Sequence, residues 1–516
     1  MNANADDATL TIGPAGRRAP PSRGFIVPAL TILWHPDLDR VGDVTPLTAA
    51  LETDDTELTR TQPAFFVPGS IIRRPIDHLA MNRNPVLRLT LRGGDLVLEP
   101  GIANKKVELE GEPFVQPRRL DRAELRRGLI FTVGRGFAFC IHEIQFPISR
   151  AQDLGLLGGS DAIEKVRREI TGVPDDETLV FLRGESGTGK ELAARALHES
   201  SGRSKGPFIT INAGTLNAST AASVLFGHER GAFTGATDAK PGYFRAAHGG
   251  TLFVDEIGFM PYEVQPHLLR VLQDSCVPPL GSPRQQKVDV RVIAATDLPL
   301  EKAVNEGLFV RSLYNRLING VTIKLPPLRK RREDIGLLLV AVLRAEFGGA
   351  AKLQRIQASH TDGTGWLSPQ TVATIASSAL PANVRDLQGL AKALRSCVGP
   401  GAPDTSVVVA ERLALFNELA STPTSLAPSP GDKNVRDLVA ALQATGWDRK
   451  RTMKLLDISK ATFYRDLKAH PDVHRLFKLS TRKLARELEA CGGDVGRLAK
   501  KLQVPEALLA QRLTKR

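Results

Sequence analysis

Hydrophobic and polar residues follow a strand-like pattern over the first part of the chain. Between residues 24 and 148, short apolar runs such as Ala29–Trp34, Val86–Leu91 and Leu129–Val133 alternate with glycine and proline turns. Runs of this length bounded by turns are typical of strands. The pattern predicts a small, mostly β domain over 24–148, and the polar residues 1–23 before it are expected to be disordered.

From about residue 153 the pattern changes to strands that alternate with helices. An amphipathic helix over Asp161–Ile170 leads into the apolar run Leu179–Leu182. Further buried strands are predicted at Phe208–Ile211, Thr251–Val254 and Val290–Ala295. This alternation indicates a parallel sheet with helices on both faces, over residues 153–325. Residues 326–398 have a helical pattern that predicts a smaller all-α lid.

The remaining residues form a linker and a repeat. Residues 399–432 are rich in Gly, Pro, Ser, Ala and Thr, so a flexible linker is expected there. Shifting 441–468 by 46 positions onto 487–514 gives nine identities among 28 positions. These positions are where a helix-turn-helix needs core residues, so the repeat predicts two such units, at 433–470 and 479–516.

Composition changes this picture most at the C-terminus. The net charge is +13, and the segment from Lys433 onward, with 20 Lys and Arg against 9 Asp and Glu, carries +11 of it. A basic segment with helical periodicity indicates double-stranded DNA as a partner. The four cysteines lie far apart, so neither structural zinc nor a disulfide framework is expected. Because the sequence shows neither a signal peptide nor a long apolar run, we expect a cytoplasmic protein without a membrane partner.

The candidate chemistry begins with a glycine loop between the strand Leu179–Leu182 and a helix from Lys190. Its GxxxxGK spacing is the P-loop signature: backbone N–H groups and the helix N-terminus bind phosphates, and the lysine reaches the β- and γ-phosphates. An acidic residue occupies the position where P-loops usually have a magnesium-binding Ser or Thr. The nucleotide-binding residues predicted here are Gly184, Glu185, Ser186, Gly187, Thr188, Gly189, Lys190 and Glu191.

An acidic motif completes the predicted site. The apolar strand Thr251–Val254 ends in Asp255 and Glu256. Asp255 is predicted to hold Mg²⁺, directly or through water, and Glu256 to polarise the attacking water. Together the two motifs predict ATP and Mg²⁺ as cofactors and ATP hydrolysis as the reaction.

Residues 153–397 resemble the sigma-54-dependent transcriptional activators of the AAA+ class, also called bacterial enhancer-binding proteins. The segment GESGTGKE, with Glu191 after the lysine, is this family's form of the P-loop. The resemblance implies an ATPase that remodels closed complexes of sigma-54 RNA polymerase into open complexes. It also implies a homo-oligomeric ring, expected to be a hexamer, in which an arginine finger of one subunit completes the neighbour's site.

The most diagnostic motif of that family is GAFTGA, which occupies residues 231–236. In relatives it forms the tip of a surface loop that touches sigma-54. Its glycines permit tight backbone angles, and its phenylalanine and threonine place an apolar group and a hydroxyl at the tip. The resemblance assigns sigma-54 contact to Gly231, Ala232, Phe233, Thr234, Gly235 and Ala236.

Four further residues take roles from the resemblance. Asn212 matches the residue that senses the nucleotide through the catalytic glutamate. Thr296 ends the sensor I strand, and Arg385 matches the sensor II arginine of the lid, so both are predicted to bind nucleotide. Arg316 matches one arginine finger. The family's second finger falls one position before Arg311, so either Arg311 takes that role or the chain has a single finger.

The first C-terminal unit resembles the Fis-type helix-turn-helix that usually ends this family. Its second helix, capped by Ser459, is expected to enter the major groove. The predicted DNA-binding residues are Lys460, Thr462, Tyr464, Arg465 and Lys468. In the second unit the corresponding segment Glu506–Arg512 has fewer groove-reading groups. It either binds DNA, dimerises or packs on the first unit, and the last two are favoured because Leu508 would otherwise be exposed.

Residues 24–148 faintly resemble a forkhead-associated (FHA) domain, a β-sandwich that binds phosphothreonine and regulates some activators of this class. Of its Ser-Arg-x-His motif only Arg83 is kept, and Gly69-Ser70 stands where that family has Gly-Arg. The resemblance implies a degenerate FHA-like regulatory domain.

The whole sequence predicts a multidomain chain: an N-terminal β-sandwich, a central α/β AAA+ P-loop ATPase with an α-helical lid, and C-terminal all-α helix-turn-helix repeats. Two other functions stay open at this point. One is a DNA-binding repressor whose nucleotide site controls only assembly. The other is an AAA+ unfoldase or loader with a different client, against which the GAFTGA motif argues.

Overall fold

The computed structural model forms two compact units, Met1–Leu419 and Ala420–Arg516. The residues it describes are 25–47, 55–67, 72–92, 95–103, 106–146, 154–175, 179–232, 236–277, 279–282, 286–358, 365–399, 401–421, 442, 452–453, 481–491, 494–502 and 509. The predictions of disorder at 1–23 and of the DNA-binding residues at 460–468 lie outside them.

Two antiparallel sheets form the N-terminal part of the first unit. The strands are β1 (Phe25–Trp34), β2 (Val44–Pro46), β3 (Thr56–Leu58), β4 (Phe65–Phe66), β5 (Arg73–Arg74), β6 (Leu87–Arg92), β7 (Asp95–Pro100), β8 (Val107–Leu109), β9 (Glu112–Pro113), β10 (Arg118–Leu120), β11 (Leu129–Val133) and β12 (Phe137–Phe146), with helix α1 (Arg122–Arg127) before β11. One sheet has the order β5-β4-β2-β1-β12-β11-β8-β9 and the other β10-β7-β6-β3.

The sandwich forms because apolar residues alternate along its strands. In β7, Leu96 and Leu98 are buried while their neighbours are half-exposed. They pack with Phe131 and Phe139 of the larger sheet in one core between the two sheets. The mostly β prediction for this region is therefore confirmed at the level of the sheets.

A five-stranded parallel sheet follows, with the order β14-β17-β20-β13-β21. The elements, including two short ribbons, are α2 (Asp161–Thr171), β13 (Leu179–Arg183), α3 (Lys190–Glu199), β14 (Phe208–Asn212), α4 (Ala221–Phe226), β15 (Gly227–His228), β16 (Lys240–Pro241), α5 (Tyr243–Ala246), β17 (Thr251–Asp255), α6 (Gln265–Asp274), β18 (Cys276–Val277), β19 (Gln286–Lys287), β20 (Arg291–Thr296), α7 (Leu300–Asn305), α8 (Arg311–Ile318) and β21 (Val321–Lys324).

Both faces of this sheet are covered. In β17, Leu252 and Val254 join the core beneath α5 and α6, whereas Phe253 joins the core beneath α2 and α3. Strands buried on two faces are continuously apolar, which is the pattern the sequence has here. The carboxyl ends of β13, β17 and β20 consequently meet at one edge of the sheet, where ligands bind in folds of this type.

Helices form the lid. They are α9 (Ile335–Phe347), α10 (Ala350–Ala358), α11 (Pro369–Ser377), α12 (Val384–Leu394) and α13 (Thr405–Ser421). The last of these corrects the prediction of a flexible linker over 399–432, because Thr405–Ser421 is helical. Its Val409 and Leu413 are buried in the lid core, which explains why a segment with linker-like ends folds as a helix.

The sandwich and the lid share one hydrophobic core. Leu33 and Trp34 of β1 and Cys140 of β12 pack in the same cluster as Leu339 and Leu343 of α9. Polar contacts surround this core: the Gln354 side chain donates to the Pro36 carbonyl and accepts from the Leu38 N–H, and Gln370 donates to the Gly134 carbonyl. An apolar interface of this kind holds two domains in one arrangement.

The backbones of helix α9 and strand β1 come into close contact at Gly336. A Cβ atom built on Gly336 would lie 2.2 Å from the carbonyl oxygen of Leu33. Helix α9 therefore crosses β1 with no room for a side chain at this position.

The turn Arg331–Asp334 precedes α9 and contacts several parts of the molecule. Arg332 donates to the carbonyls of Gly128 in the sandwich and Ser377 in the lid. Glu333 lies 3.9 Å from Nδ1 of His142 in the sandwich. Asp334 accepts hydrogen bonds from the backbone N–H groups of Gly159 and Ser160, which lead into α2.

In the second unit, α14 (Thr481–Ala490) and α15 (Val495–Leu502) lie in the second predicted helix-turn-helix unit. Leu484, Leu498 and Ala499 are buried there together with Leu509. No helix among the described residues is long and apolar enough to cross a membrane. All four cysteines are free thiols.

Glu333 gives the sandwich–lid interface a pH dependence. Burial and the neighbouring Asp334 raise the pKa of Glu333 to about 8. An unfolded glutamate ionises near pH 4.5, so the folded state keeps this proton while the unfolded state has lost it, and stability falls as the pH rises to 8. Burial lowers the pKa of His142 to about 4, so above pH 6.5 this imidazole is neutral in both states.

We therefore expect Glu333→Gln to gain stability relative to the wild type between pH 6.5 and pH 8, by about 2 kcal/mol. Urea unfolding of both chains at the two pH values measures this change. A difference in stability that stays constant across the window contradicts the assignment.

Candidate functional site

The predicted P-loop connects β13 to α3 in the conformation that its glycines require. Gly187 and Gly189 have φ angles of +74° and +101°, which side chains rarely permit. The Thr188 hydroxyl donates to the Glu185 carbonyl at 2.7 Å and closes the loop. The N-terminus of α3 then points into a cavity of about 690 Å³. A helix N-terminus of this kind attracts anions.

Lys190 is the first residue of α3, and its ammonium group folds back over the loop. Nζ donates to the carbonyl of Gly184 at 2.8 Å and to that of Glu185 at 3.2 Å. Burial lowers the pKa of Lys190, while Asp297 and Asp255 raise it. Glu191, which replaces the usual hydroxyl residue, lines the cavity and forms an exposed ion pair with Arg195 at 3.1 Å.

The two carboxylates lie at the carboxyl end of β17, as the sequence predicts. Asp255 and Glu256 both line the same cavity as Lys190. A Cβ atom built on Gly214 would lie 2.8 Å from Glu256 Oε2 and 3.1 Å from Asn212 Oδ1. The side chains of Asn212 and Glu256 thus converge on Gly214, although Asn212 Oδ1 accepts the Gly214 N–H here.

The two predicted sensor residues differ in position. Arg385, near the start of α12, lines the cavity and donates to the Ser186 hydroxyl. Thr296 ends β20, but its hydroxyl accepts the N–H of Leu298 at 3.1 Å, and it is Asp297 that lines the cavity. Thr296 is the last residue of β20 and Asp297 comes directly after it, so the apolar strand alone does not show which of the two reaches the cavity.

The lid also holds the P-loop through contacts that no sequence motif predicts. Arg329 donates through two nitrogens to the Glu185 carboxylate, which lowers the pKa of Glu185. The Asn383 side chain donates to the Ser186 carbonyl at 3.0 Å and accepts from the Leu328 N–H at 2.7 Å. These residues are far apart in sequence from the loop, so no local pattern marks them.

The end of the cavity away from the phosphate loop is mostly apolar. Its lining includes Leu156, Ile163, Leu338, Ala341 and Val342, from α2, α9 and the segment before α2. Glu346 of α9 and Gln388 and Lys392 of α12 also line the cavity. An apolar surface beside a phosphate-binding loop can accept a nucleotide base.

The residues predicted to be arginine fingers do not line this cavity. Arg316 donates to the Leu272 carbonyl at 3.2 Å, and Arg311 lines a separate surface cavity of about 500 Å³ with Tyr262 and Phe309. Within one chain, neither guanidinium is among the residues around Lys190.

The flanks of the GAFTGA motif form a closed loop base. The Gly231 N–H donates to the Ala236 carbonyl at 2.9 Å, and Gly231 has a φ of +81°. Ala236 is buried, whereas residues 237–241 are exposed. The tip residues Phe233, Thr234 and Gly235 lie outside the described residues.

A parallel sheet with the P-loop strand between β20 and β21, an acidic β17 and a helical lid over the cavity define an AAA+ P-loop ATPase. The sigma-54 interaction domain matches residues 156–324. The transcriptional regulatory protein ZraR of Klebsiella oxytoca is 39% identical over 321 residues, which cover 60% of this chain and 68% of that protein. The chain belongs to the family of sigma-54-dependent transcriptional regulators.

A second sequence relative agrees with this assignment. The DNA-binding transcriptional regulator NtrC of Salmonella typhimurium is 42% identical over 286 residues, which cover 54% of this chain and 56% of that protein. The crystal structure of NtrX from Brucella abortus in complex with ATP is 29% identical, covers 61% of this chain and 68% of that chain, and has a TM-score of 0.44. Because this TM-score is low, the family assignment rests on the sequence relatives and not on the structural match.

A substitution at Gly187 can test whether the contact between the P-loop and the lid matters for nucleotide binding. A Cβ atom built on Gly187 would lie 2.0 Å from the Ala382 carbonyl oxygen, and its φ is positive. We expect Gly187→Ala to weaken ADP binding by roughly tenfold or more, because the loop and the lid can no longer close together. Isothermal titration calorimetry measures the affinity.

The matched control is Gly111→Ala in the sandwich. Gly111 has a φ of +92° with open space around it, so the substitution adds similar backbone strain far from the cavity. Wild-type ADP affinity in the Gly187→Ala chain would show that the close approach is unimportant for binding.

Proposed function

We propose that this protein is an ATP-dependent activator that remodels closed complexes of sigma-54 RNA polymerase into open complexes. The observation that carries the proposal is the GAFTGA loop, whose base lies in the same domain as the Lys190–Asp255–Glu256 cavity. Family membership supports the general class of sigma-54-dependent transcriptional regulator. What we propose beyond it is that ATP hydrolysis drives the remodelling of the polymerase complex.

In the proposed hydrolysis, the loop Gly184–Lys190 binds the triphosphate and Glu256 polarises the attacking water. Asp255 would hold Mg²⁺. Among the described residues, no group of three acidic, histidine or cysteine side chains has the geometry of a metal site. Mg²⁺ at a nucleotide site takes one or two carboxylates plus phosphate oxygens, and Asp255 and Glu256 line the same cavity as the P-loop. Asn212, beside Glu256, would sense whether the γ-phosphate is present. Arg385 would transmit this state to the lid.

We propose that the complete site forms between subunits of a ring, expected to be a hexamer. Arg316 is separate from its own chain's cavity, which supports a role at the site of a neighbouring subunit. Arg311 lines the surface cavity at the start of α8 and would take the second finger position. A guanidinium supplied in this way stabilises the charge of the transition state.

Two further proposals concern the ends of the chain. The C-terminal unit would bind upstream DNA through Lys460, Thr462, Tyr464, Arg465 and Lys468, which is supported by the +11 charge of this segment. The N-terminal sandwich, with its faint FHA-like pattern, would regulate the ATPase. Its shared core with the lid supports this role, since a ligand that shifts the sandwich also biases the lid.

The proposed role of the GAFTGA loop predicts that a substitution can separate ATP hydrolysis from transcription activation. We expect Phe233→Ala to keep ATP hydrolysis within about twofold of the wild type and to lose open-complex formation at a sigma-54 promoter. Glu256→Gln should lose both but still bind ATP. Steady-state ATPase rates and permanganate footprinting of promoter DNA measure the two activities.

A matched control is Leu415→Ala, which removes an exposed apolar side chain of α13 outside the loop. Open complexes formed by Phe233→Ala at the wild-type level would refute the loop's role. A wild-type chain that binds DNA and represses without hydrolysing ATP would favour the repressor function instead.

The helix-turn-helix repeat predicts unequal roles for its two units. We expect Arg465→Ala to weaken binding to a specific upstream site by roughly tenfold or more, because it removes a groove or phosphate contact. In the second unit the position equivalent to Arg465 is Gln511, and Arg512→Ala, at the next residue, should change affinity less than twofold. Fluorescence anisotropy at fixed salt measures both. Equal losses would assign DNA contact to both units.

A further inference from the structure

Arg331 is a buried arginine on the wall of the nucleotide cavity. It begins the turn before α9, its side chain is 2% exposed, and it lines the same cavity as Lys190 and Arg385. None of the roles considered so far uses it.

The guanidinium lacks the partners that a buried arginine normally has. Nε and Nη1 of Arg331 have no hydrogen-bond partner among the described residues. The carboxylate of Asp334 is 3.8 Å away, and its oxygens accept from Gly159 N, Ser160 N and the Ser160 hydroxyl. Asp334 therefore offsets the charge of Arg331 without accepting its hydrogens.

A second buried arginine nearby shows the contrast. Arg167 in α2 is 6% exposed and donates to Glu164 and to the carbonyls of Leu156 and Gly158. The fold thus supplies acceptors for both terminal nitrogens of Arg167, although its Nε has none, whereas Arg331 lacks an acceptor for Nε and for Nη1. Burial lowers the pKa of Arg331, while Asp334 and Glu333 raise it. An unsatisfied buried cation costs several times more than a satisfied one, so its retention beside a ligand cavity points to a ligand acceptor.

The position of Arg331 indicates which part of a nucleotide it meets. Asp334, three residues later, bonds the segment Gly159–Ser160 that leads into α2, and Ile163 of α2 lines the apolar end of the cavity. Leu338 of α9 lines this end as well. With the phosphates at Lys190, the base of a nucleotide would lie toward this end.

We propose that Arg331 donates a hydrogen bond to an acceptor nitrogen of the bound adenine ring, N1 or N7, and that it helps select purine nucleotides. This deepens the proposed function, because it rests on nucleotide binding in the Lys190 cavity. Apolar residues such as Leu156 and Leu338 can hold a ring by shape, and a charged donor supplies the orientation that apolar walls lack.

The test compares nucleotide analogues in the wild type and in Arg331→Met, by titration calorimetry. The probes are ADP, 7-deaza-ADP, 1-deaza-ADP, 2′-deoxy-ADP and pyrophosphate. In the wild type, one of the two deaza analogues should bind roughly tenfold or more weakly than ADP. In Arg331→Met, ADP should bind as weakly as that analogue, the deaza penalty should vanish, and pyrophosphate should bind as in the wild type.

Arg332→Met is the matched control, since Arg332 is the next residue and faces the sandwich and α11. Its ADP affinity should stay within twofold of the wild type. Thermal unfolding without nucleotide should show Arg331→Met at or above the wild-type melting temperature, because it removes an unsatisfied charge. A merely structural role would lower it.

Wild-type ADP affinity and an undiminished deaza penalty in Arg331→Met would overturn this inference but not the proposed function. So would a penalty confined to 2′-deoxy-ADP, which would assign the contact to the ribose. The analogue comparison in the wild type needs no variant: if both deaza analogues bind as tightly as ADP, the inference is wrong even where the Arg331→Met chain misfolds. A wild type that binds neither ADP nor pyrophosphate would contradict the proposed function as well.

Discussion

The close contact between the P-loop and the lid is the constraint on which the site depends. Gly187 has no space for a Cβ atom against Ala382, and Asn383 bonds both the loop and the start of the lid. Asn383 is fully buried and has a φ of +56°, a strained conformation that persists only where surrounding contacts impose it. The phosphate loop and the lid therefore change position together, and a nucleotide that moves one must move the other.

The sandwich extends this coupling beyond the ATPase. Its β1 and β12 share a core with α9, and the turn Arg331–Asp334 places one residue against the nucleotide cavity, two against the sandwich and one against the segment before α2. Packed cores have discrete arrangements rather than continuous ones. The turn thus joins three regions whose positions are linked through a few short contacts.

Much of this architecture follows from local patterns in the sequence. Short apolar runs bounded by glycine and proline turns indicated the sandwich strands, and the P-loop and the acids at the end of β17 were predicted because their chemistry needs fixed spacing. The lid contacts were not predictable in this way. Glu185 meets Arg329 across 144 residues, and Arg331 stands in a basic run that is typical of a solvated surface. The helix Thr405–Ser421 was hidden by its Gly-, Pro- and Ser-rich surroundings, because composition cannot reveal that Val409 and Leu413 find a core.

The glycine at position 336 carries a consequence for comparing related chains. Because α9 touches the backbone of β1 there, any larger residue would push the helix off the strand. A relative whose lid helix has a side chain at this point must seat its N-terminal domain elsewhere or have a different one. One residue in the ATPase portion of a sequence thereby reports on the architecture of a domain some three hundred positions upstream.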